Sequence, residues 1–226
     1  MNHALRAART LLIPVLLGIS LSACALGRSE VMVTPPVSAM AASLSAPAVK
    51  IVDVRDLRQF TPNPRDPSEP SIGELSEIND PRITSRLIGR KRGGYGNAMG
   101  DVAFPEGTTV QSLVSSAAQA ALQNKGYRVV GETSSDYAQA LPLALDIEKY
   151  WSWLNFGAFS GSVNTKATIV MKGEPVSGSP ATAEMVISSS EVVATEAIWS
   201  RVIQTGLDEL TTKMAEKIRP ASELRR

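Results

Sequence analysis

From Leu141 to Ile147 every second residue is a large aliphatic: Leu141, Leu143, Leu145 and Ile147 alternate with Pro142, Ala144 and Asp146. A period of two marks a strand with one face buried. Val163, Thr165, Ala167, Ile169 and Met171 repeat it, and Thr182 to Val193 gives a weaker third copy after the turn GEPVSGSP. Three such runs in succession predict an antiparallel meander, which needs a partner layer to cover its apolar face.

Two amphipathic helices supply that layer. Val110, Leu113, Val114, Ala117, Ala118, Ala121 and Leu122 fall on one helical face. Thr108 with Gln111 matches a capping box, and Gly126 suits the residue just past the end. From about Thr195 to Ile218, a second face carries Trp199, Val202, Ile203, Gly206, Leu207, Leu210 and Met214. Lys213, Lys217 and Arg219 favour its C-terminal dipole, and Pro220 stops it.

Ahead of the first helix, VKIVDV (Val49 to Val54) predicts a strand, and Tyr127 to Val130 a short one after that helix. Five prolines between Thr61 and Arg82 exclude regular structure and predict a long surface loop. A further strand is expected around Ile83 to Gly89. The order predicts an α+β fold: a mostly antiparallel sheet with two helices packed on one face, preceded by a lipidated flexible tether.

The amino terminus reads as an address. Arg6 and Arg9 stand without an acid, LLIPVLLGI follows, and the stretch closes on Leu21-Ser22-Ala23-Cys24. A membrane-spanning helix needs about 20 apolar residues, and this run is shorter and interrupted by Pro14 and Gly18. Leu-Ser-Ala-Cys resembles the bacterial lipobox, in which the cysteine receives a diacylglycerol and becomes the first residue after cleavage. That resemblance makes residues 1–23 a signal peptide and Cys24 the lipidation site, with an amino-linked acyl chain such as palmitate. Ala25, in place of the aspartate of inner-membrane retention, implies the outer membrane. Residues 25–47 show neither period and are expected to form a coil; with Cys24 they make a tether, leaving 48–226 as a single periplasmic domain.

Composition narrows the chemistry of that domain. The only histidine is His3 and the only cysteine Cys24, so the body has no zinc site built on either and no Ser-His-Asp or Cys-His catalysis. Net charge is +1, and −1 once Arg6 and Arg9 are removed, so no overall field favours nucleic acid. No cofactor or metal is expected.

Together with the lipobox, the segments VKIVDVRDLR, LIGRKRGG and AALQNKGYRVV, followed by paired strands and a terminal helix, resemble the YajG-like family of bacterial lipoproteins. The likeness lies in order and spacing over most of the mature chain. It implies an envelope lipoprotein with a small α+β domain and no established activity.

Three groups of residues are candidate sites. RKRGGYGNAMG, Arg90 to Gly100, lacks the Walker pattern and is one residue too long for the dinucleotide fingerprint. It reads as a solvated connection, or as contact between Arg90, Lys91, Arg92 and an anionic headgroup. Asp146 and Glu148, two apart on a strand, fit its solvent side; the alternative is a carboxylate-dependent glycan hydrolase. Trp151 and Trp153 continue the parity of Leu141 to Ile147 and so would cap the core. With Phe156 and Phe159 they also fit an exposed tip for a partner or membrane. Asp53, Arg55, Asp56 and Arg58 read as weak surface ion pairs. The expected role is non-enzymatic: binding or assembly support for an envelope protein or a peptidoglycan-related partner.

Overall fold

The computed structural model describes residues 27–40, 43–93, 95–156, 161–191 and 195–225. The expected signal peptide, Cys24, Phe159 and the Phe156 side chain lie outside them.

The fold is α+β. Among the described residues eight strands form one mixed sheet: β1 (Ser29–Glu30), β2 (Ala48–Asp56), β3 (Leu87–Arg92), β4 (Ala98–Ala103), β5 (Arg128–Val129), β6 (Leu141–Phe156), β7 (Gly161–Gly173) and β8 (Ala181–Glu191). β6, β7 and β8 pair antiparallel in succession, as the alternation predicts. β6 is the spine. One edge pairs with β7 along its length; the other takes β2 in parallel at Leu141 to Ile147, then β3 in parallel at Ser152 and Trp153.

The short helix α1 (Pro81–Thr84) precedes β3, and the long helices α2 (Val110–Asn124) and α3 (Glu196–Lys217) cover one face. Their apolar stripes meet Leu143, Leu145, Ile147, Ala167, Ile169 and Met171 in the main core. The cap of α2 falls one residue later than expected. Thr109 accepts from the Ser112 amide at 3.1 Å, and Ser112 Oγ accepts from the Thr109 amide at 3.0 Å. Thr108 is held instead by a turn, its amide donating to the Pro105 carbonyl at 3.1 Å. Gly126 follows the helix with φ +85°, the left-handed conformation of a C′ residue.

A bulge at Glu148 overturns the expected parity of the tryptophans. Ile147 stands opposite Ile169 and Lys149 opposite Thr168, so Glu148 is the extra residue. Beyond it the strand's faces exchange: Tyr150 enters the main core, while Trp151 joins Ile72, Leu87 and Ala103 on the other face. Trp151 and Trp153 therefore belong to a second, smaller core.

The Pro-rich loop roofs that second core, so it is more than a surface excursion. Phe60, Ile78 and Ile83 pack on it, and Ile72 is 1% exposed. Phe60 meets Trp151 edge to face with centroids 6.0 Å apart. Asp80 caps α1 by accepting from the Arg82 amide, with Pro81 at the first helical position. That turn absorbs Ile83 and moves β3 on to Leu87–Arg92, so Arg90, Lys91 and Arg92 lie in a strand, not in a solvated connection.

The stretch expected to be a coil is docked over much of its described length. The Gly27 amide donates to the Met99 carbonyl at 3.2 Å, β1 pairs with β4, and Val31 is 1% exposed. The segment then crosses the helices: Gln204 of α3 accepts from the Thr34 amide at 2.7 Å, and Ser38 donates to Asn124 of α2 at 2.8 Å. Such isolated strap contacts leave no period in a sequence. Gly100 admits the strap, because at φ +133° a Cβ there would overlap the Gly27 carbonyl oxygen.

Candidate functional site

On the face away from α2 and α3, charges and aromatics that are far apart in the chain come together. Arg58, expected at the surface, has a fully buried side chain. It pairs with Asp56 at 2.7 Å and donates to the carbonyls of Leu87 at 2.6 Å, Thr84 at 2.9 Å and Tyr150 at 3.3 Å. The guanidinium thus satisfies backbone where β3, β6 and the loop meet. Beside it a cleft of about 490 Å³ opens, lined by Asp56, Phe60, Ile78, Pro81 and Gln111 among others.

Asp146 is not poised for acid catalysis. It is 4% exposed and accepts from Arg55 at 2.7 and 2.8 Å and from Lys172 at 2.6 Å. These hydrogen bonds and charges pull its carboxyl down to about 2 and raise the Arg55 guanidinium in turn. A carboxylate ionised across the physiological range cannot deliver a proton to a leaving group. Glu148 sits exposed on the bulge.

Arg90, Lys91 and Arg92 have three different environments. Arg90, 8% exposed, donates to the Ile72 carbonyl and lies 3.8 Å from Asp101. Asp101 also accepts from the Gly73 amide at 3.2 Å and lies 3.7 Å from Arg28, which pairs with Glu77. Burial pushes the Asp101 carboxyl up. Lys91, half-buried, donates to Ser29 Oγ at 2.8 Å. Arg92, 8% exposed, donates to the Gly96 carbonyl at 3.2 Å and forms no ion pair among the described residues. Its Nη2 has no partner, and burial followed by the nearby Arg90 charge lowers its affinity for the proton.

Asp101 and Arg28, which complete this cluster, are absent from the candidates read from the sequence. An acid standing alone in the strand AMGDVA is the signal that could have found Asp101. Tyr95 is missing too, although it is the most exposed large hydrophobic side chain among the described residues, at 102%.

The register brings two candidate groups to one end of the sheet. β3 and β6 run parallel with Arg90 level with Trp153, so the β3–β4 tip and the end of β6 at Phe156 share a pole. Gly161 at the start of β7 and Glu191 at the end of β8 are there too. Among the described residues no helix is long and apolar enough to cross a membrane, and no group of three or more metal-ligating side chains is found.

No protein-family model and no curated protein matches the chain. Several solved structures are distantly similar. A Xanthomonas campestris protein of the family DUF330 shares 11% identity, covering 81% of this chain and 92% of its own, with a TM-score of 0.42. A minor lipoprotein from Acinetobacter baumannii shares 14%, covering 46% and 80%, with a TM-score of 0.32. PelC from Paraburkholderia phytofirmans, a dodecamer, shares 11%, covering 78% and 94%, with a TM-score of 0.27. These scores are too low to place the chain in any of those families.

Proposed function

We propose that the chain is a bacterial envelope lipoprotein, held in the outer membrane by acylated Cys24, whose periplasmic domain acts by binding. The observation that carries this reading is Leu21-Ser22-Ala23-Cys24 at the end of a basic and then apolar leader, with Ala25 next. The resemblance of its motif order to that of YajG-like lipoproteins supports it. The non-enzymatic part rests on residue types and geometry: no histidine or cysteine follows Cys24, and Asp146 is committed to Arg55 and Lys172. The partner is another envelope component, a protein or a peptidoglycan-related polymer.

Labelling cells with an alkyne fatty acid and separating inner from outer membranes tests the anchor. Wild type should carry label and sediment with the outer membrane, and Cys24→Ser should be unlabelled and released with the periplasm. Unlabelled wild type, or a Cys24→Ser protein that stays on the membrane through a salt wash, would falsify the reading. For the non-enzymatic part, an Asp146→Asn, Glu148→Gln double variant should complement a deletion fully; a folded variant that fails to do so revives the hydrolase.

A further inference from the structure

The described chain enters the domain beside the β3–β4 tip. Gly27 is hydrogen-bonded to Met99, and β1 runs parallel to β4, away from the tip. Gly27 is three residue steps from Cys24, a reach of at most about 10 Å. Acyl chains on Cys24 therefore hold this pole within roughly the depth of a headgroup layer. The domain is not suspended on a long coil, because the coil is already docked.

The chemistry of the pole suits that location. Tyr95 at the tip is wholly exposed and rests on no neighbour, an amphipathic ring of the kind enriched at the level of lipid headgroups. Arg92, at the base of the same turn, is buried with its unpartnered Nη2, so it meets no headgroup directly; it has one carbonyl partner and no carboxylate among the described residues, and its positive charge lies behind the tip. A cation without a counterion close behind a surface raises the positive potential there, which favours an anionic headgroup layer.

We propose that this pole is a lipid-contact surface, with Tyr95 seated among the headgroups of the membrane that holds Cys24 and Arg92 supplying positive charge behind it. The proposal rests on the lipoprotein reading and adds a fixed orientation to it. Its occupant is a phospholipid bilayer.

Acylation blocks the Cys24 thiol, the only one in the chain, so an introduced cysteine can be labelled alone. Tyr95→Cys and Ser177→Cys, the second exposed in the turn between β7 and β8 at the opposite pole, are each given an environment-sensitive fluorophore on the full-length acylated protein. Both are reconstituted into vesicles of phosphatidylethanolamine and phosphatidylglycerol containing a headgroup nitroxide lipid. The label at position 95 should be blue-shifted and quenched several-fold more than the label at 177. Equal quenching in protein that floats with the vesicles overturns the contact surface and leaves the anchor standing. Protein that carries no acyl group and does not float overturns both.

Discussion

The Trp151 indole donates its Nε1–H to the carbonyl of Pro67 at 3.2 Å, fastening the middle of β6 to the Pro-rich loop. The ring is fully buried and meets Phe60 edge to face, so it is the main support of the second core. Trp151→Ala should cost about 3 to 5 kcal/mol in urea unfolding. Trypsin should then cut the loop at Arg65 faster than in wild type, while Trp153→Ala, half-buried, loosens it less.

Asp146 gives the fold a defined acid sensitivity. Its folded carboxyl lies near 2, below the ordinary 3.8, so its stabilising share is complete above about pH 4 and is lost as pH falls towards 2. Melting temperatures measured across that window should drop more steeply for wild type than for Asp146→Asn, with Arg55 and Lys172 unchanged in both. Parallel curves would mean that the pair with Arg55 and Lys172 contributes nothing to folding.

Deleting Glu148 is expected to be far worse than replacing it. As the bulge residue it sets which side of the sheet Tyr150 and Trp151 occupy, and its removal returns every later residue of β6 to the other face. Circular dichroism should show no cooperative unfolding for the deletion, whereas Glu148→Gln should stay within about 0.5 kcal/mol of wild type.

Gly100→Ala tests the docked strap. A methyl group there overlaps the Gly27 carbonyl oxygen, in a left-handed backbone that alanine disfavours. Hydrogen exchange at the Val31 amide, which donates to Ala103 at 2.9 Å, should accelerate at least tenfold, with the α3 core little changed. Protection equal to wild type would show that the strap does not depend on this glycine.

Period and capping chemistry made the meander and both long helices legible, since Leu143 and Ile169, or Leu113 and Leu207, carry their burial in their spacing. The bulge was not legible, because nothing at Glu148 distinguishes an inserted residue from the next step of an alternation. The parity read through to Trp151 and Trp153 failed there. Arg58, Arg90 and Arg92 misled for a related reason: charge reads as exposure, whereas each is buried and donates to a backbone carbonyl that no sequence pattern displays. The strap, built from single contacts such as Thr34 to Gln204, has no period to read.

The unbroken run of β6 from Leu141 to Phe156 has a consequence for distance. Sixteen strand residues span up to roughly 50 Å, and the bulge kinks this span without interrupting the chain. On the proposed lipid contact, with Phe156 at the same pole as Tyr95, β6 would work as a ruler standing on the membrane. A partner bound near Leu141, β5 or the turn after β7 would then be met at one set height above the bilayer, and lengthening the chain between Cys24 and Gly27 would loosen that height without touching the binding surface.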